Sequence, residues 1–363
     1  MLGKPLPIAV IGLGPFGCQI LKATGRIELV EVVGIADKDP AVVHRLAEDS
    51  GVPGYDDSRS LLAEARPQAV CLDVPPKAAA ELIPACAKRG IHVWKDAPLA
   101  RNLGEGAAMV AAMGEAGLKL VVGTQRRFAY CYRHAWQLRE RLGQVFLARA
   151  HYLFNWGPEL GWRGDKESAG GGALLELGYH PIDLMVWFLG LPEDVYGLAA
   201  IGGRPKATAD RPQPVYDTDD TAAAVFRFAT GCMATVVTTR CSGPVSEELS
   251  IHGLGGSLSV NGSHCVLRDP DGNVVEQAEN NLDPLDVFVR QGRAFAEAVA
   301  RGAKTYRCSG RENLLNLAVI EAIYLSARTC QPESPLRLLK NHGLDPADCL
   351  KHRPRRSSRR KET

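Results

Sequence analysis

The sequence has no run of eighteen apolar residues, so no segment is expected to span a membrane. It also lacks a C-x-x-C pair. Its ten cysteines scatter from Cys18 to Cys349, several of them inside apolar runs, such as Cys71, Cys86 and Cys232. That distribution argues for reduced, buried thiols rather than a disulfide framework or a zinc site. The opening Met1–Pro7 has no apolar signal core followed by a small-residue cleavage site, and with the thiols this leads us to expect a cytoplasmic protein. An excess of one charge is missing too. The net charge is +2, and the basic residues that produce it crowd into 351–363, where seven Lys or Arg meet one Glu. That tail has almost no apolar content and reads as solvated and disordered; nucleic acid is not an expected partner.

A chain of 363 residues is too long for one ordinary core, and 45% hydrophobic with 23% charged residues is the balance of a globular protein. We expect a dinucleotide-binding domain over residues 1–125, a second domain over 126–340 and the basic tail over 341–363. The first third alternates short apolar runs (8–11, 29–36, 69–74, 91–94, 118–122) with amphipathic segments of about ten residues, which implies βαβ units and a parallel sheet covered on both faces. After residue 125 the rhythm changes. Helices are expected over 130–142 and 173–189, strands over 145–154, 222–228, 233–239, 249–252, 257–260 and 265–268, then helices over 285–300 and 312–327. The fold class is therefore α/β: an N-terminal Rossmann domain, then an α+β domain on an open, mostly antiparallel sheet. The Pro- and Gly-rich segment 202–217 reads as a long surface loop.

Gly12-Leu13-Gly14-Pro15-Phe16-Gly17 matches G-x-G-x-x-G between a strand and a helix. The first glycine permits the tight turn, the second lets a pyrophosphate approach the backbone, and the third permits close packing of helix on strand. The helix N-terminus offers free N–H groups to phosphate charge. Asp37 follows Gly17 by twenty residues at the end of the second strand, where a carboxylate accepts the adenosine-ribose hydroxyls. It repels a 2′-phosphate, which favours NAD; Lys38 beside it softens that repulsion and keeps NADP open.

Within the apolar stretch 173–189 only Glu176, His180 and Asp183 are ionisable. On one continuous helix they would share a face, and burying them is costly unless they pair or face a cleft. His180 then suits proton transfer from a hydroxyl while hydride leaves the carbon, with Glu176 orienting the ring. The competing reading is a structural His–carboxylate pair. A metal site is not expected. Arg163 suits contact with hydroxyls or a carboxylate. Tyr179 is either a proton donor or a packed aromatic, and Asp183 either meets substrate or supports His180. Trp156 and Trp162 are either walls of a sugar pocket or core packing, and Arg126 and Arg127 either touch ligand or bridge the domains.

In this order, the glycine motif, Val74-Pro75-Pro76, His92–Ala100, Gln125-Arg126-Arg127-Phe128, Gly161-Trp162-Arg163, Gly170–Asp183 and Asp219-Asp220-Thr221 resemble the Gfo/Idh/MocA family. The resemblance spans roughly residues 6–330. It implies NAD(P)-dependent oxidation or reduction of a sugar, cyclitol or related polyol or keto compound, and homo-oligomers, dimers or tetramers, formed through the C-terminal sheet. It also implies that Pro75, Asp96 and Gln125 lie beside the cofactor. The family's D-x-x-x-H pair appears here as Glu176 and His180. One departure stands out: aligning on Pro98 puts Ala97 where the family carries a lysine that contacts nicotinamide and substrate. Lys95, two residues earlier, is the candidate replacement. The alanine keeps two alternatives open, an NAD-retaining lyase or hydrolase and a non-catalytic dinucleotide-binding protein.

Overall fold

The computed structural model describes residues 4–157, 159–203 and 215–349. Most of the 202–217 loop and the basic tail beyond residue 349 lie outside the described residues. No helix among the described residues is long and apolar enough to cross a membrane.

The N-terminal sheet consists of β1 (Leu6–Ile11), β2 (Val30–Ala36), β3 (Gly54–Tyr55), β4 (Ala69–Leu72), β5 (His92–Asp96) and β6 (Leu120–Gly123). All are parallel, in the order β3-β2-β1-β4-β5-β6. Helices cover both faces, so β4 and β6 are buried at every position, as their unbroken apolar sequences require. The strand order reverses between β1 and β4, and the carboxyl ends of these two strands flank the crevice where such sheets bind ligands.

The second sheet has eight strands: β7 (Val145–Asn155), β8 (Asp194–Ala200), β9 (Thr221–Arg227), β10 (Met233–Thr239), β11 (Cys241–Gly253), β12 (Gly256–Val260), β13 (His264–Arg268) and β14 (Val274–Glu279). Their order is β14-β13-β12-β11-β7-β10-β9-β8. The pair β7–β10 is parallel and the other pairs are antiparallel. The period of two is strict in β9, where Ala222, Ala224 and Phe226 point to the helices while Thr221, Ala223, Val225 and Arg227 are exposed. Strands β8 and β14 were not evident from the sequence. The outward face of β8 carries Tyr196 and Leu198, and β14 is largely exposed, so neither has a continuous apolar signature.

The expected single helix over 173–189 is two helices, Ala173–Glu176 and Tyr179–Leu189, separated at Leu177-Gly178. The break resets the helical phase and removes the single polar stripe. The two domains are also not cleanly successive. Helix Asp286–Ala300 returns to pack on the first domain, and Phe288 and Phe295 join the cluster of Ile20, Val10 and Trp94. Trp94 is 1% exposed, and its ring lies 6.4 Å from that of Phe295. Helix Gly310–Thr329, nucleated by a Ser309–Glu312 capping box, lies between the helix Leu103–Glu115 and β8.

The Trp94 packing is the hydrophobic seam between the sheet and the returning helix. Trp94→Ala is expected to cost about 3–5 kcal/mol, read as a lower urea midpoint in equilibrium unfolding.

Candidate active site

The glycine loop is built by steric necessity at two of its three glycines. Gly12 has φ +89°, and a Cβ there would lie 2.0 Å from the Asp73 carbonyl oxygen. A Cβ on Gly17 would lie 1.9 Å from the carbonyl oxygen of Gly12. Gly14 is different: its Cβ would meet only the Asp73 carboxylate, at 3.5 Å. The protein's own packing leaves room here, so the Gly14 backbone is open to the close approach of a ligand. The helix Pro15–Thr24 that follows has Pro15 at its start and no side-chain cap. At the end of β2, Asp37 accepts from the Leu13 amide at 2.6 Å and the Asp39 amide at 3.0 Å, which fixes its carboxylate beside the loop. Lys38 is exposed. The Gly17 amide of the helix Pro15–Thr24 is held by the Asp73 carboxylate at 2.6 Å, so the fit to a dinucleotide rests on the open Gly14 backbone and the fixed Asp37.

From this loop a cavity runs toward the second domain. Phe16, Asp73, Asp96, Ala97 and Gln125 line it from the first domain. Arg126, Tyr152, Trp156, Trp162, Arg163, Glu176 and His180 line it from the linker and the second. Val74 and Pro76 border it, while Pro75 caps the start of the next helix. Gln125 donates to Asp96 at 2.7 Å.

Glu176 owes its place to the glycine triplet. A Cβ on Gly172 would sit 1.7 Å from the Asp219 carbonyl oxygen. That close approach lets the Asp219 carboxylate accept from the amides of Gly172 and Leu174, both at 2.8 Å. Asp219 thereby ties down the start of the short helix that ends at Glu176. Glu176 does not orient His180: it accepts from Arg163 Nε at 2.5 Å. Arg163 is held in turn between the faces of Trp156 and Trp162, 4.3 and 4.4 Å from their centroids. Its backbone carbonyl accepts from Thr218 and from the buried Arg240. The two tryptophans therefore serve the cavity as a pair.

His180 Nδ1 is buried and has no hydrogen-bond partner. Burial, and then the charge of Arg126, holds the ring's pKa well below the ordinary histidine value, so the imidazole is neutral near pH 7. Arg126 is locked by Glu247 through bonds of 2.7 and 2.8 Å and lies over Tyr152.

Two expected substrate contacts are corrected. Asp183 is 1% exposed, accepts two bonds from Arg127 at 2.8 and 2.6 Å and one from Asn316, and does not line the cavity. Tyr179 is fully buried and donates to Asn313 at 2.9 Å. The helix break turns both into the interdomain packing. Lys95 does not line the cavity either. It is 1% exposed, and its Nζ donates to the backbone carbonyls of Asp96 at 2.8 Å and Pro98 at 2.7 Å. It points into the turn rather than across to the position of Ala97. Sequence reasoning missed Asp73, whose carboxylate accepts from the Gly17 amide at 2.6 Å. The available signal was a carboxylate at the carboxyl end of a central parallel strand.

Comparison with known proteins bears on this arrangement. Residues 6–124 match the model of the oxidoreductase family with an NAD-binding Rossmann fold, and residues 133–259 match the GFO/IDH/MocA C-terminal domain. The chain belongs to the Gfo/Idh/MocA oxidoreductase family. Among its relatives is a D-xylose 1-dehydrogenase (NADP(+)) of Haloferax volcanii, 28% identical over 88% of this chain and 97% of the relative. A levoglucosan dehydrogenase of Pseudarthrobacter phenanthrenivorans is 28% identical over 62% of this chain and 64% of the relative. An oxidoreductase domain protein from Kribbella flavida superimposes with a TM-score of 0.83 and 25% identity over 92% of this chain and 99% of the other. A levoglucosan dehydrogenase in complex with NADH and L-sorbose shares the fold, with a TM-score of 0.84 at 22% identity over 91% of this chain and 98% of the other. Members with sugar substrates thus include both NAD- and NADP-linked forms.

The depressed His180 pKa has a defined sign in activity. A neutral ring is free to accept a proton, so any step that passes a proton to His180 is expected to hold its rate as pH falls through 6.5 and to decline only below it. A kcat/KM profile between pH 5 and 9 in non-binding buffers checks this.

Proposed function

We propose that the protein is an NAD-preferring oxidoreductase that acts on the CH–OH group of a sugar, cyclitol or related polyol. The observation that carries this reading is the cavity that joins Phe16 of the glycine loop to a neutral His180, whose buried Nδ1 has no partner, and to a tryptophan-flanked Arg163–Glu176 pair. NAD, when bound, supplies the hydride acceptor. His180 takes the hydroxyl proton as the C–H hydride departs, and in the reverse direction returns it. The Arg163 guanidinium and Glu176 carboxylate offer donors and acceptors to neighbouring hydroxyls, and Trp156 and Trp162 offer apolar faces to the C–H side of a ring.

Lys95 acts in this scheme as a positioning residue. Its ammonium ties two carbonyls of the Asp96–Pro98 turn and so fixes Ala97 and Asp96 at the cavity wall. Among the described residues no lysine lines the cavity, which leaves His180 as the proton carrier in this scheme. We further propose that the chain self-associates through the second sheet, whose outward face exposes Tyr196, Leu198, Val225, Met233 and Val237.

The decisive experiment follows NADH absorbance against a panel of sugars, cyclitols and their keto forms. His180→Ala is expected to lower kcat/KM by about 100-fold or more while NADH affinity stays unchanged. Saturable binding with no turnover of any panel member would move the reading to an NAD-retaining lyase or hydrolase, or to a binding protein. Asp37→Ala is expected to weaken NADH and to narrow the NADH-over-NADPH preference, both read by fluorescence titration.

A further inference from the structure

A charged group that the scheme above leaves unused lies behind the cavity wall. Arg240, between β10 and β11, is 1% exposed and does not line the cavity. Its guanidinium bonds no carboxylate among the described residues. One nitrogen donates to the Arg163 carbonyl at 3.2 Å, another to the carbonyl and hydroxyl of Thr218 at 3.1 and 2.8 Å, and Nε has no partner. A buried guanidinium without a counter-ion is costly, and an apolar side chain would fill the space at lower cost. What the arginine supplies is geometry. Its own amide donates to the Asp220 carbonyl at 2.9 Å, and its carbonyl accepts from the Trp156 amide at 2.9 Å. The Thr218 hydroxyl that it holds donates in turn to the Arg163 carbonyl at 2.8 Å. Three segments of the wall therefore meet at one residue: Trp156, Arg163, and Thr218–Asp220, whose Asp219 anchors the helix that ends at Glu176.

We propose that Arg240 is a positioning residue for substrate recognition: it fixes Arg163 between Trp156 and Trp162, and so holds the Arg163–Glu176 pair in the geometry that meets the substrate hydroxyls. The task suits arginine, whose planar fork reaches two carbonyls and a hydroxyl at once; a lysine amine carries the same charge without the fork. The charge has a second effect. Burial raises the pKa of Glu176, Arg163 and then Arg240 oppose it, and Asp73 adds to it. The other groups on the cavity wall are settled. His180 is neutral, Arg126 is paired with Glu247, and Asp96 accepts from Gln125. Removing the Arg240 charge therefore shifts Glu176 toward its protonated form, in which it no longer pairs with Arg163 as an ion.

The role of Arg240 rests on the reading of Arg163 and Glu176 as substrate contacts, so one readout is kept free of turnover. With the best polyol of the panel as substrate, Arg240→Met in the full chain is expected to raise KM about tenfold or more, with a smaller change in kcat. NADH affinity stays at the wild-type value. The acid limb of 1/KM moves to higher pH, because Glu176 takes up its proton sooner. Arg240→Lys also raises KM but leaves the acid limb in place, since it keeps the charge and loses the fork. Thr218→Val removes the shared hydroxyl at nearly constant size and is expected to raise KM about threefold, so it reports even if Arg240→Met fails to fold. Acrylamide quenching of tryptophan fluorescence supplies the turnover-free readout. It is expected to increase in Arg240→Met and in Thr218→Val, and not to increase when Trp156→Phe and Trp162→Phe are added. Folded variants with unchanged KM and unchanged quenching overturn the proposal, as does a lysine variant whose acid limb moves as far as the methionine variant's. A wild type that turns over no member of the panel overturns the substrate reading instead, and the quenching comparison then decides the positioning of Arg163 by itself.

Discussion

The arrangement of the two domains depends on one buried ion pair. Arg127, 6% exposed, places its guanidinium against Asp183 with two hydrogen bonds and reaches Glu312 with a third nitrogen at 3.1 Å. The pair fastens the segment just after β6 to the helix Tyr179–Leu189 and to the start of the helix Gly310–Thr329. Asn313 and Asn316 extend the network: Asn313 accepts from Tyr179, and Asn316 donates one further bond to Asp183. Desolvation costs such a pair heavily, so every partner must be present for it to hold. Its value here is geometric: it fixes His180 three residues from Asp183, and so sets the histidine's position relative to the first domain's sheet.

Around that clamp, each cavity group is held by a different strand end or turn. Gly12 and Gly17 let the loop close on Asp73. Lys95 braces the turn after β5, and the Asp219 carboxylate anchors the short helix that delivers Glu176. Along the wall Arg163 pairs with Glu176 and Arg126 with Glu247, while burial and the charge of Arg126 keep the histidine neutral.

Much of this was legible in local pattern. G-x-G-x-x-G between a strand and a helix, with Asp37 at the end of the next strand, marks the crevice because tight turns and close approaches have few residue solutions. The series of short strand-like runs after residue 220 likewise revealed the second sheet. The roles given to Glu176 and Asp183 came from the phase of one helix, and the break at Leu177-Gly178 changes that phase: Glu176 stays in the cavity but pairs with Arg163, while Asp183 turns away to Arg127. Lys95 was expected to share a face with position 97, yet its long stem turns to carbonyls within its own turn. Asp73 gave no motif, since its importance comes from Gly17, 56 residues away.

The sequence by itself determined the α/β class, the parallel-then-antiparallel order and the glycine loop, because these follow from short-range sterics and from the period of apolar residues. Only the tertiary structure decided which charges pair, which face the cavity and which bridge the domains. Those choices depend on distance in space between segments far apart in the chain, and on the cost of leaving any one of them buried alone.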